Sequence, residues 1–97
     1  MNDILILISK EDNELINMIK NVKGNVKKIE EENFDGDPSF VAFLITITPA
    51  ILKTLEKIIK IISSDKTRGK IKIKGIEIEG FTFDETMQLL RELTKKD

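Results

Sequence analysis

The sequence predicts an α+β fold, organised as one domain over residues 1–97. Three observations predict it. The short, continuously apolar run Ile4 to Ile8 suits a central β-strand covered on both faces. The stretch KIKIKGIEIEG, residues 70–80, alternates isoleucine with charge on both sides of Lys74-Gly75, the pattern of a hairpin. Segments with apolar residues at 3–4 spacing stand behind cap residues, which marks helices.

Taken in order, the first strand ends near Ser9, which reads as the N-cap of a helix, with Asp12 completing an approximate capping box. Leu15, Ile16, Met18, Ile19 and Val22 form its apolar face, and Gly24 its stop. Residues 25–30 are a weak strand candidate, because Val26 and Ile29 do not alternate cleanly. Residues 30–39 form a polar, acidic loop. Its Asp35-Gly36-Asp37 lacks the further oxygen ligands and distal glutamate of a calcium loop, so a solvated loop is expected.

Residues 40–62 carry two competing signals. FVAFLITIT is β-branched and apolar, as in a strand. Asp37-Pro38 is instead a helix start, and Phe40, Leu44, Ile47, Ile51, Leu55, Ile58 and Ile62 keep helical spacing through Pro49. The expectation is two helices, or one kinked at Pro49, with a strand followed by a helix as the alternative. A helix from Pro49, capped by Thr48 and ended by Ser63-Ser64-Asp65, holds in either case.

In the hairpin, a two-residue turn at Lys74-Gly75 sets Ile73 against Ile76, Lys72 against Glu77, Ile71 against Ile78 and Lys70 against Glu79. Isoleucines pair on one face and opposite charges on the other, so the register is well specified. Thr82-Phe83-Asp84-Glu85 is a full capping box, and Met87, Leu90 and Leu93 are the buried stripe of a last helix. The order β-α-β-α (kinked, or β-α)-β-β-α gives a small ferredoxin-like sandwich: a three- to four-stranded sheet with helices packed on one face.

The composition narrows the chemistry. The chain has 40% hydrophobic and 34% charged residues and a net charge of -1, ordinary for a globular domain and without a general attraction to nucleic acid or anionic membranes. It has no cysteine and no histidine, which removes disulfides, thiol nucleophiles, the usual general base and most metal ligands. No phosphate-binding glycine loop and no nucleophile elbow occur. No enzyme activity, cofactor, metal or small-molecule substrate is expected.

The longest uncharged stretch, residues 38–52, has 15 residues, short of the roughly 20 that a membrane span needs, and the acidic Met1-Asn2-Asp3 start is not a signal peptide. A soluble, cytoplasmic protein that does not engage membranes is the expectation. The glutamates already occupy the field of Lys70 and Lys72, which argues against a nucleic-acid backbone as ligand. Lys66 and Arg68 extend the basic row beyond the glutamates and are candidate partner contacts, set against a solvated strand end. Phe81 and Phe83 flank the last helix start, where a core or staple role is expected.

The pattern LxxLxxxI at residues 52–62, the basic strand from Gly69 to Lys74, the short strand from Gly75 to Gly80, the Thr82 to Glu85 cap and the helix through Leu93 together resemble the effector-associated constant component family. These are small α+β adaptor modules of bacterial conflict systems. The resemblance implies a non-catalytic adaptor that couples a partner effector, such as a protease, to a sensor through protein contacts. The alternative is a small immunity or inhibitor protein, whose acidic loop at 30–37 would meet a basic active site. The crowded apolar segment 40–48 predicts a homo-oligomer with Val41 and Ile45 at or near the contact.

Overall fold

A computed structural model describes residues 3–22, 26–29, 39–73, 76–78 and 80–95. The elements run β1 (Asp3–Ser9), α1 (Asn13–Lys20), β2 (Val26–Ile29), β3 (Phe40–Thr46), α2 (Pro49–Ser64), β4 (Gly69–Ile73), β5 (Ile76–Glu77) and α3 (Phe83–Lys95). Among the described residues the strands form one five-stranded sheet in the order β2-β3-β1-β4-β5, and every neighbouring pair is antiparallel. The sheet is thus wider than the three to four strands expected.

The apolar run Ile4 to Ile8 becomes the central strand β1, as its lack of alternation predicts. It pairs with β3 on one side and β4 on the other. Ile4, Ile6 and Ile8 join Phe43, Ile45, Ile71 and Ile73 on one face of the sheet. Against them pack Leu15 and Ile19 of α1, Leu55, Ile58 and Ile59 of α2, and Met87, Leu90 and Leu93 of α3. All three helices therefore cover the same face, and this layer is the principal core.

Segment 40–46 corrects the two-helix expectation: it is a strand, and the helix begins only at Pro49. The helical spacing from Phe40 to Ile62 was real but carried no weight before Pro49. There the β-branched, aromatic run pairs with β1 from Asp3↔Thr46 through Ser9↔Phe40, and those ladder bonds need an extended backbone. The Thr48-Pro49 start holds. Thr48 Oγ1 accepts the Ile51 N–H at 3.2 Å, and Pro49 takes the first turn, where its missing N–H costs nothing.

The first helix also starts later than expected. Asp12, not Ser9, is the cap: its Oδ1 accepts the Leu15 N–H at 3.1 Å. Ser9 is held instead at the end of the central strand, donating its N–H to Arg68 O at 3.0 Å. The Thr82 capping box forms as read, with Thr82 N–H donating to Glu85 Oε1 at 2.9 Å and Glu85 N–H to Thr82 Oγ1 at 3.1 Å.

The hairpin register is also as read: Ile73 faces Ile76 and Lys72 faces Glu77. The Ile78 N–H continues the ladder by donating to Ile71 O at 2.8 Å. The turn at Lys74-Gly75 and the partner position Glu79 lie outside the described residues. Gly69 opens β4 where there is no room for a side chain, since a Cβ there would lie 2.7 Å from Leu7 O.

Candidate functional site

The candidate partner residues fall in two places. Lys66 and Arg68 lie in the turn between α2 and β4; Val41 and Ile45 lie on β3. Lys66 is exposed. Arg68 is already engaged within the chain. Its Nε donates to Asp12 Oδ2 at 2.5 Å, and its Nη2 donates to Asp12 Oδ1 at 3.1 Å and Glu14 Oε1 at 2.8 Å. The Asp12 side chain is only 11% exposed. The Arg68 guanidinium holds its carboxyl below the ordinary range, against the opposing effect of burial, and Asp12 in turn raises Arg68. Asp65 is lowered as well, because its Oδ1 accepts from both the hydroxyl and the N–H of Thr67. Arg68 thus ties the α2–β4 turn to the start of α1, a bidentate structural link rather than a free cation.

Val41 and Ile45 both point to the helix side. Ile45 sits fully inside the core and Val41 packs against it half-buried, so in the folded protomer Ile45 has no surface to offer a partner. A strand repeats every two residues, and this puts Phe40, Ala42 and Leu44 on the opposite face.

That opposite face is the unusual surface. Leu5, Leu7 and Ala42 form a second apolar cluster, separate from the core, with Phe40 and Leu44 packed half-buried against it. Every member is a strand residue, so among the described residues no helix contributes to it. A sheet with helices on one side ordinarily turns polar side chains outward on the other. Here the two central strands are apolar on both sides, and Leu5, Leu7 and Ala42 are 7%, 3% and 4% exposed.

The register shows how the cluster is bounded. Lys27 of β2 stands opposite Leu44, and Lys72 and Lys70 of β4 stand opposite Leu5 and Leu7. The Lys70 ammonium lies 5.2 Å from the Phe40 ring centroid, within cation–π range. Long lysine stems lie along apolar surface while their charged heads reach water. The result is an apolar stripe two strands wide with basic flanks.

The sequence had pointed to segment 40–48, with Val41 and Ile45 as its contacts; Phe40, Ala42, Leu44, Leu5 and Leu7 were not among the expected contacts. Their signal was the absence of alternation in both FVAFLIT and DILILIS. Phe83 packs against the core, whereas Phe81, just before the α3 cap, is 41% exposed. The acidic segment 30–37, with Asp35-Gly36-Asp37, lies outside the described residues, and among the described residues no group of acidic side chains is placed to hold a metal ion. No helix among them is long and apolar enough to cross a membrane. In comparisons with known proteins, the chain matches no family model, no curated protein and no solved structure.

Proposed function

We propose that this chain is a non-catalytic protein-interaction module, an adaptor that couples a partner effector such as a protease to a sensor in a bacterial defence system, and that its contact surface is the sheet face opposite the helices. The supporting observation is the second apolar cluster of Leu5, Leu7 and Ala42 with half-buried Phe40 and Leu44. Leu5, Leu7 and Ala42 are buried under neighbouring side chains, and half-buried Phe40 and Leu44 are the apolar side chains this face would offer a partner. The scaffold proposed is ferredoxin-like. Its first six elements run β-α-β-β-α-β with β1 and β3 central, and β5 and α3 extend it.

The same face suits protein better than nucleic acid. A base-stacking platform needs open aromatic faces among cations. Phe40, the aromatic of this cluster, is half-buried with the Lys70 ammonium over its ring, so it does not present an open face for stacking. The lack of histidine and cysteine in the sequence supports a non-catalytic role.

Immobilised wild-type protein and its Leu44→Glu variant, each exposed to extract of the source cells, test the reading. The expected result is a protein retained by the wild type and lost with the variant, and no turnover in a broad hydrolase and nucleotide screen. Carboxylate-dependent turnover abolished by a single Glu→Gln change would overturn the non-catalytic reading. Retention indifferent to Leu44→Glu would overturn the assignment of the surface.

A further inference from the structure

A cavity of about 50 Å³ lies between the end of α2, strand β4 and the start of α3. Ile62, Ile71, Ile78 and Phe81 give it apolar walls, and Thr86 lines it too. Thr86 is the one buried polar side chain among the described residues, 2% exposed. Its N–H donates to Thr82 O at 3.0 Å, but its hydroxyl has no hydrogen-bond partner among the described residues. Helical position alone does not account for this. The hydroxyls of Thr54 and Thr94, also on helices, each donate to the carbonyl three residues back, at 2.7 and 2.8 Å. Buried hydroxyls are normally paired, and an unpaired one is costly. A second feature adjoins it: Phe81 is the one large hydrophobic side chain exposed among the described residues. Lys66, expected from the sequence to contact a partner, is exposed beside the same cavity.

We infer that this cavity takes one short, polar-tipped side chain of a partner protein, the size of threonine or asparagine. A single water needs about 10–15 Å³, so 50 Å³ holds roughly three or four non-hydrogen atoms, the size of those two side chains. Pockets for cofactors and metabolites are larger, about 300–1,000 Å³. A leucine or phenylalanine anchor overfills the space and leaves the Thr86 hydroxyl unpaired. A threonine or asparagine stem packs against the isoleucines while its tip pairs with that hydroxyl. Phe81 then covers partner surface next to the anchor, as interface aromatics do.

This inference rests on the interaction-module reading and adds a surface separate from the sheet face. The first probes are acetamide and 2-propanol, which reproduce the two side-chain tips, followed by amide and methyl NMR shifts up to about 0.1 M. Shifts centred on Thr86, Ile71 and Ile78 are expected. Thr86→Val should weaken both probes about tenfold and leave Tm unchanged or higher, because it removes an unpaired buried hydroxyl. A random peptide library displayed on phage supplies the protein-like ligand. Selected peptides should share threonine or asparagine at one position and lose about tenfold in affinity to Thr86→Val and to Phe81→Ser.

Leu44→Glu should change neither result, so a failure of the cavity and a failure of the sheet face are read separately. Absence of shifts at about 0.1 M, or probe binding indifferent to Thr86→Val, would overturn the proposal. So would a lower Tm for Thr86→Val, which would mean that the hydroxyl is bonded within the chain. Failure to select peptides, or peptides without a common threonine or asparagine, would overturn the assignment of a partner side chain.

Discussion

Replacing Gly69 by alanine places a methyl group where the structure leaves no space for one. An ideal Cβ at Gly69 lies 2.7 Å from the carbonyl oxygen of Leu7 and 3.1 and 3.2 Å from Cγ1 and Cδ1 of Ile62. Leu7 belongs to the central strand and Ile62 to the buried face of α2, so neither neighbour can yield cheaply. Forcing a methyl group into such a contact costs about 1–3 kcal/mol. Loss of glycine's freedom in the unfolded chain offsets about 0.4–1 kcal/mol of that. The net expectation is a loss of about 1–2 kcal/mol, or a fall of roughly 5–15 °C in Tm for a domain this size. Thermal and urea unfolding followed by circular dichroism measure it.

Gly80 is the control. It has a positive φ of 77° and nothing within 4 Å of an added Cβ, so its requirement is conformational and not steric. Asparagine tolerates that conformation, so Gly80→Asn should cost less than Gly80→Ala. At Gly69 the order should reverse, with the larger residue worse. A neutral or stabilising Gly69→Ala would refute the close approach of β4 to β1 and α2.

Two further experiments test other links. The Asp12 carboxyl is lowered chiefly by its hydrogen bonds from Arg68, so its contribution to stability is present above its unfolded value near pH 4 and is lost as pH falls through the lower folded value. Asp12→Asn keeps a cap residue but loses the charge; the stability gap between it and wild type should be constant from neutral pH to about pH 5 and should close at lower pH. A gap that widened on acidification would contradict the Arg68 linkage. In the hairpin, Lys72→Glu and Glu77→Lys should each destabilise while the double reversal recovers most of the loss, with a coupling of up to about 1 kcal/mol. Simple additivity in urea midpoints would mean that the cross-strand pair does not interact.

Local chemistry was legible in the sequence, apart from the cap of the first helix, which is Asp12 and not Ser9, and long-range chemistry was not. The Thr48-Pro49 and Thr82–Glu85 helix starts depend on residues within one turn, and both formed as read. The register of the Lys-Ile and Ile-Glu strands was legible because each face matched at once. Segment 40–46 was ambiguous for a physical reason: a strand buried on both faces shows no alternation, and its apolar residues then fit helical spacing as well. Only its pairing with β1 decides the matter, and that pairing is distant in sequence. The Arg68–Asp12 link joins residues 56 positions apart, so Arg68 read as an open cation. The outward residues of β3 followed from the strand assignment, which is why the expected contacts Val41 and Ile45 point to the helix side while Phe40 and Leu44 lie on the opposite face.

Sedimentation equilibrium of the isolated chain over a wide concentration range tests the sheet face as a protein contact most directly. The account predicts that the wild type associates beyond its 11.1 kDa protomer mass as concentration rises. Leu44→Glu, on the sheet face opposite the helices, should stay folded by circular dichroism and sediment as a monomer. Ile45→Glu, one residue away but inside the core, should unfold. A wild type that remains a concentration-independent monomer, with Leu44→Glu indistinguishable from it, would contradict the account.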